Sequence, residues 1–365
     1  MKKDFSQIIT AATFFFTVAA LSLWLFFAPK EDASLSERRL LAEIPELSWQ
    51  GVAGGAFFDG FDAYITDHFP SRDAWRGAKA RFALYVLGEK ENDSLAVKDG
   101  YIAKIGHGAS VSSQKNAASK MRRVYEKYLS ASRVFFSIVP EKGYFFARDF
   151  GYPLPFSESD VEFFKDALPE FEYVDIFDTL ALDCYYKTDA HWSQDKLGAT
   201  VKKLAAAMGV SEYVASEYET RRIDDFYGVY AGQSALSPAP DTIFYLTNDN
   251  IENLPARDVE TGEVFPVYDL KKADGRDKYD VFLSGARGIV KIDDTNAKSE
   301  RELIVFRDSF GSSIAPLFIG AYGSITLVDT RYIETEKLGE YVDFENKDVL
   351  FLYSTLLLGN SFSMK

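Results

Sequence analysis

Arg133-Val134-Phe135-Phe136-Ser137-Ile138-Val139 is a continuous apolar run of strand length, stopped by Pro140. A strand that is apolar at every position is covered on both faces, the mark of a parallel sheet packed between helices. Just upstream, Met121, Val124, Tyr125, Tyr128 and Leu129 mark one face of a helix. Downstream, residues 173–177 read as the next strand. Leu197, Val201, Leu204 and Met208 then stripe a helix that Gly209 can close. Three further buried-strand runs lie at 303–306, 325–328 and 349–353. Strands separated by helical segments imply an α/β fold with a largely parallel sheet. Residues 212–300 are richer in Asp, Pro, Gly and aromatics, with strand-like runs at 242–246 and 279–283, and they read as an insertion.

Toward the N-terminus, residues 94–105 carry Gly100 between two short apolar runs and read as a hairpin. Residues 75–87 read as a helix. Phe57, Phe61, Tyr64, Ile65 and His68 recur at three- and four-residue spacings, which predicts an amphipathic helix. Pro70 ends it by disfavouring helix at the residue before. Residues 31–56, polar with Pro45 and several glycines, read as a stalk. The 22 residues from Ile8 to Pro29 carry no charge, enough to cross a bilayer as a helix. Lys2 and Lys3 precede this run, so the positive-inside bias keeps the N-terminus cytoplasmic and sends the rest of the chain outward. A cleaved signal peptide is the competing reading, but the run exceeds the usual apolar region and no A-x-A site ends it. The expected plan is a cytoplasmic tip and transmembrane anchor at 1–30, a stalk and helical segment at 31–90, and one α/β domain at 91–365 with an insertion at about 212–300.

Composition excludes several functions. The 365 residues include 41 basic and 55 acidic side chains, a net charge of −14 that argues against a nonspecific grip on nucleic acid. One cysteine, Cys184, cannot make an intramolecular disulfide, a Cys₄ zinc site or an iron–sulfur cluster, and it reads as a small buried hydrophobe. Three scattered histidines without H-x-x-x-H or H-E-x-x-H spacing point to no metal, and no cofactor is expected.

Functional loops of parallel sheets lie at the carboxyl ends of strands. Two segments fit: Tyr185-Tyr186-Lys187-Thr188-Asp189-Ala190-His191-Trp192-Ser193, before a helix that Ser193 could cap, and Arg307-Asp308-Ser309-Phe310-Gly311-Ser312 after the 303–306 run. A serine hydroxyl is a poor nucleophile until a base takes its proton and a third group orients that base. His191 is the candidate base and Asp189 the orienter, while Ser309 on a strand-to-helix turn would expose its hydroxyl and set its own N–H near a helix N-terminus. Bland readings stand beside these: an Asp-x-His surface hydrogen bond, and Asp308 as a helix cap. His68 is the rival base, although its helical spacing suits a packed role. His107, between Gly106 and Gly108, has none assigned.

Thr188-Asp189-Ala190-His191-Trp192 resembles the signature of the bacterial DHHW family, related to the SGNH-hydrolase-like proteins of alginate O-acetylation. Ser36-Glu37-Arg38-Arg39 with Pro45, Asp67-His68-Phe69-Pro70-Ser71-Arg72, Asp308-Ser309-Phe310 and Asp329-Thr330-Arg331-Tyr332 resemble further blocks of that family, in order. The resemblance implies an SGNH-like three-layer α/β/α sandwich and a triad of Asp189, His191 and Ser309, with the Asp-His pair preceding the serine. The family's first histidine is Ala190 here, a position that is not the base in the alginate relatives. SGNH enzymes complete the oxyanion hole with a glycine and an asparagine. Gly285 is the candidate glycine, and Ala286 stands where the asparagine is sought.

The expected function is an extracytoplasmic, membrane-anchored serine acyl-transfer enzyme acting on a cell-surface or exported polysaccharide; the resemblance implies an O-acetyltransferase, with a multispanning membrane acyltransferase as acetyl donor. Arg331 and Tyr332, past the 325–328 strand, are candidate substrate contacts; an exposed ion pair is the plainer reading. Alternatives are an acetylesterase with the same triad, or a noncatalytic polysaccharide-binding or assembly protein using aromatics such as Tyr227, Tyr230 and Phe244.

Overall fold

A computed structural model describes residues 2–34, 36–106 and 108–365. The chain divides into two compact units, Met1–Asn92 with Ala231–Ser237, and Asp93–Tyr230 with Pro238–Lys365.

The first unit begins with α1 (Lys2–Phe27), whose segment Phe5–Phe27 is long and apolar enough to cross a membrane and has no residue buried among the described ones. A minimal antiparallel pair follows, β1 (Ala33–Ser34) and β2 (Arg39–Leu40). The helices α2 (Trp49–Ala53), α3 (Ala56–Asp67) and α4 (Arg72–Arg81) come next. The helix expected over 75–87 starts earlier, at Arg72, and ends in a π-helical turn at Phe82–Val86. Two polar sequence blocks meet here. Arg39 donates to both Asp67 carboxylate oxygens (2.8 and 2.5 Å), Arg72 pairs with Glu37, and Arg76 lies 3.2 Å from Glu37. Hydrogen bonding from Arg39 leads the effects that hold the Asp67 carboxyl down at about 2. His68 bonds the Ala42 carbonyl oxygen through Nε2 at 2.9 Å and packs on Tyr64, so the rival base is a structural residue.

The second unit opens with the expected hairpin, β3 (Leu95–Lys98) and β4 (Tyr101–Lys104), then α5 (Val111–Val124) running into a π-helical turn, and β5 (Arg133–Val139). There follow α6 (Lys142–Phe150), α7 (Glu158–Ala167), the short edge strand β6 (Glu172–Tyr173) and α8 (Gly198–Met208). β6 is shorter than the run 173–177 because Asp175 Oδ1 accepts the Phe177 N–H at 2.9 Å and turns the chain out of the sheet. Gly209 closes α8 in the left-handed conformation (φ 71), as its position predicted. Ser193 does not cap α8: its hydroxyl goes to Asp195, and a 3₁₀ turn at Gln194–Lys196 intervenes.

β7 (Glu219–Phe226) and β8 (Asp241–Thr247) form a separate antiparallel pair, with the short helix α9 (Val229–Ser234) between them in sequence. After α10 (Asp249–Asn253), β9 (Pro255–Asp258), β10 (Val264–Pro266) and β11 (Ile289–Asp293) join the main sheet antiparallel. The segment read as an insertion therefore supplies three of that sheet's eight strands. β12 (Glu302–Arg307), α11 (Ser309–Ile314), β13 (Ser324–Val328), β14 (Asp348–Ser354) and α12 (Thr355–Gly359) complete the domain.

The main sheet runs β10-β9-β11-β13-β12-β14-β5-β6, with β13 through β6 parallel. Alternate residues of its central strands face two different cores. Val134, Phe136, Ile138, Ile304, Phe306, Val349 and Phe351 pack with Met121 and Val124 of α5 and Phe164 of α7. Phe135, Val139, Leu303, Val305, Leu350 and Leu352 pack with Phe145 of α6, Leu204 of α8 and Phe310 of α11. Each such side chain contributes about 1.5–3 kcal/mol on burial, so both faces of the sheet must be covered. The result is the expected three-layer α/β/α sandwich, and it places the ends of β5, β14, β12 and β13 side by side.

Candidate active site

At the end of β12, Asp308 is the N-cap of α11: its Oδ1 accepts the Phe310 N–H (3.0 Å) and its Oδ2 accepts the Ser354 N–H at the end of β14 (2.9 Å). Asp308 thus performs the capping role and ties two neighbouring strand ends together. Ser309 is the first helical residue, half-buried, on the strand-to-helix turn. First-turn N–H groups have no intrahelical acceptor. Those of Phe310 and Gly311 are taken by Asp308, and among the described residues no acceptor is bonded to the Ser309 N–H.

The Asp-His segment forms a narrow loop. Tyr185 and Trp192 bridge antiparallel, Tyr186 N donates to His191 O (3.1 Å), and Ser193 N donates to Cys184 O (2.8 Å). Asp189 and His191 stand at its tip. His191 Nδ1 lies 2.6 Å from Asp189 Oδ1, and His191 Nε2 lies 2.7 Å from Ser309 Oγ, across 118 residues of sequence. Burial alone would raise the Asp189 carboxyl, but the facing His191 and the N–H groups of Val229 and His191 hold it well below the usual carboxylate range. An ionised carboxylate only accepts, so Nδ1 carries the ring proton and Nε2 accepts from the Ser309 hydroxyl.

Several residues that the sequence did not point to fix this relay. Tyr279 stacks on the His191 ring (centroids 3.9 Å apart, planes 9° apart), and the Phe310 ring lies tilted against it at 4.9 Å. Ser313 Oγ accepts from both Tyr279 OH (2.8 Å) and Trp192 Nε1 (2.9 Å), joining α11 to the ring's neighbours. Asp189 Oδ2 accepts the Val229 N–H at 2.8 Å. Gly228, just before, passes so close that a Cβ there would sit 2.3 Å from the Asp189 Cβ. Asp241 accepts from the N–H groups of Lys187 (2.9 Å) and Thr188 (2.7 Å), and Lys142 Nζ donates to the carbonyl oxygens of Tyr186, Lys187 and Asp189.

Other expected positions are placed differently. Residues 279–283 are not a strand: Asp277 Oδ1 accepts the Tyr279 N–H (3.0 Å) and starts a 3₁₀ turn at Lys278–Val281, which presents Tyr279 to His191. Gly285 has φ 84, and its N–H donates to Phe282 O at 3.3 Å within a local turn. Arg331 Nε and Nη2 bind the two oxygens of buried Asp329 (2.9 and 2.6 Å), and its guanidinium lies 5.5 Å from the half-exposed ring of Tyr332. Asp329 also pairs with buried Arg307 at 3.2 Å. Both Arg331 and Tyr332 thus follow β13, at the same end of the sheet as Ser309. Cys184 is half-buried, with its thiol pushed up by burial. Tyr230 is buried, Phe244 partly so, and only Tyr227 of the three aromatics is well exposed. His107 lies outside the described residues.

Fold and site geometry together define a three-layer α/β/α sandwich with an Asp-His-Ser relay at the carboxyl ends of its parallel strands. Residues 178–328 match the family model of the DHHW protein, in accord with the motif resemblance. A DHHW family protein from Eubacterium siraeum DSM 15702 has a similar fold, with 22% identity and a TM-score of 0.61 over 75% of this chain and 94% of that one. Bacillus cereus PatB1 is similar at 19% identity and a TM-score of 0.58, over 73% and 97% of the two chains. PatB1 with a sulfonyl adduct aligns at 18% identity and a TM-score of 0.56, over 72% and 95%. Comparison with curated proteins gives no match.

Proposed function

We propose that this chain is a membrane-anchored, outward-facing serine acyl-transfer enzyme that places acetyl groups on the hydroxyls of a cell-surface or exported polysaccharide. The observation that carries the reading is the unbroken relay from Asp189 through His191 to Ser309, at 2.6 and 2.7 Å. Ser309 Oγ attacks the acyl carbonyl as His191 Nε2 takes its proton. Collapse of the tetrahedral intermediate returns that proton to the leaving oxygen and leaves an acetyl ester on Ser309. A sugar hydroxyl then attacks this ester, giving its proton to His191, and the serine is regenerated as the new ester departs. Asp189 stays ionised and stabilises the imidazolium formed at each step. The Ser309 N–H is available to the developing oxyanion.

The N-terminal apolar helix would anchor the enzyme with its N-terminus in the cytoplasm, and a multispanning acyltransferase would deliver the acetyl group from that side. Arg331, whose side chain is 27% exposed, and Tyr332 are the candidate contacts for the glycan. Water in place of the sugar would give an esterase from the same triad.

Sulfonyl fluoride is the probe of choice, since PatB1, a protein of similar fold, has been solved with a sulfonyl adduct. The wild-type chain is expected to be sulfonylated at Ser309 and to transfer acetyl from an aryl acetate to an oligosaccharide. A Ser309→Ala variant that keeps full labelling, aryl acetate turnover and surface acetylation would sink the proposal. Normal acetyl-enzyme formation in Asp189→Asn would remove the orienting role.

A further inference from the structure

Lys142 is the first residue of α6, directly past the end of β5, and its side chain is fully buried. It makes three hydrogen bonds, all to main-chain oxygens of one loop: Tyr186 and Lys187 at 2.9 Å and Asp189 at 2.5 Å. Its ammonium also lies 4.9 Å from the centroid of the Tyr230 ring. Among the described residues no carboxylate pairs with it. Burying an ammonium without an ionic partner is expensive; a methionine of similar length would fill the same space without that desolvation cost but would offer the three carbonyls no donor. Packing therefore does not explain the residue, whereas the geometry of its three acceptors does.

An ammonium has three N–H donors and no acceptor, so three carbonyls saturate it. The Asp189 carbonyl is held by Lys142 while the carboxylate of the same residue is held by Val229. Asp189 is thereby fixed at both ends, and its Oδ1 is aimed at His191. We infer that Lys142 is a positioning residue, which sets the Asp189–His191 pair for Ser309 by gathering the carbonyls of residues 186, 187 and 189. The inference rests on the acyl-transfer reading of that pair.

A neutral amine offers only two N–H donors and turns a lone pair toward the third carbonyl, so the clamp is complete only while Lys142 is protonated. Burial pushes the ammonium down to about 7, against the pull of Asp189 in the loop, Asp241 in β8 and Glu141 beside it in the chain, a carboxyl that burial itself raises to about 7 and that titrates in the same region. Tyr230, the aromatic neighbour, is pushed well above its ordinary value by burial and stays neutral. Loop geometry should loosen as pH rises past that region.

The test uses the full-length chain in detergent, as wild type, Lys142→Met and Lys142→Arg. Three quantities are measured: thermal melting, the rate of Ser309 sulfonylation from acid to alkaline pH, and the low-field proton resonance of the His191 Nδ1–H. Lys142→Met is expected to fold, to react about 10- to 100-fold more slowly, and to lose the low-field resonance. The wild-type rate should fall on the alkaline side, and Lys142→Arg should move that fall to higher pH, since a guanidinium keeps its charge. A folded Lys142→Met variant with the wild-type rate, profile and resonance overturns the inference. If that variant does not fold, an Arg variant whose pH profile superimposes on the wild type overturns it instead. A wild-type chain that is not sulfonylated at Ser309 defeats the acyl-transfer reading, while the resonance still reports whether Lys142 sets the Asp189–His191 bond.

Discussion

Gly228→Ala isolates the geometry of the relay without touching any of its members. Gly228 N donates to Thr188 Oγ1 at 2.9 Å, and the main chain here crosses directly against Asp189. An added Cβ would stand 2.3 Å from the Asp189 Cβ, 2.4 Å from its Cα and 2.5 Å from its N, where real contacts stay beyond 3.0 Å. No flexible side-chain end is available to yield, so one backbone must retreat by about 0.7 Å or more. If Asp189 moves away, the 2.6 Å bond to His191 stretches toward about 3.3 Å, the long and weak end of hydrogen bonding. If Gly228 moves instead, it draws the Val229 N–H from Asp189 Oδ2 and frees the carboxylate to rotate.

Either displacement approaches the ångström-scale misplacement that costs a reaction up to about 100-fold. Overpacking of this kind lowers stability by about 1–3 kcal/mol, small enough for the variant to fold. The assay is the second-order rate of Ser309 sulfonylation, read beside a circular dichroism melt. A rate loss of about 10- to 100-fold is expected, with melting reduced by a few degrees. A folded Gly228→Ala variant that reacts at the wild-type rate would refute the claim that Asp189 must be held where it stands.

Three further expectations follow from polar groups that are buried or half-buried. Ser313→Ala leaves the Tyr279 hydroxyl and the Trp192 N–H without their shared acceptor; denaturant unfolding should show a loss of at least about 2 kcal/mol, and a loss under half of that contradicts the structure. Asp329→Asn removes the countercharge of Arg307, which is buried with Nε and Nη2 unbonded among the described residues. It should cost about 3–5 kcal/mol by the same measurement, and near-neutrality would mean that Arg307 has another partner. Asp67 titrates lower in the folded chain than its ordinary value because of Arg39, so its stabilisation is complete above the normal carboxylate range and disappears as pH falls through about 2. Asp67→Asn should therefore lower the melting temperature at neutral pH and make little difference in strong acid; an equal drop at both would remove the ion-pair explanation.

The sandwich was legible wherever a strand is covered on both faces, because uninterrupted apolar runs such as 133–139 and 349–353 have no other comfortable place. It was illegible where strands lie toward the sheet's edge. β9 alternates exposed and buried residues over four positions and carries two charges, so its membership in the main sheet is fixed only by pairing with β11. The relay was legible for a related reason: serine, histidine and aspartate carry their chemistry in the side chain, and strand ends mark where such side chains are used. What holds the relay is carried by groups that leave no such mark. Gly228 acts by the absence of a Cβ, Lys142 by donating to carbonyls that every residue possesses, and Tyr279 by the turn that swings its ring onto His191. Gly285 shows the same silence from the other side: its residue type suits an oxyanion hole, but the local turn that brings its N–H to Phe282 O leaves no mark in the sequence. The reacting atoms of such a site can thus be nominated from residue types and order along the chain. Their alignment is set by main-chain groups that are nearly silent in sequence, and substitutions there, rather than in the triad, discriminate between a preorganised relay and three suitable residues that happen to be close.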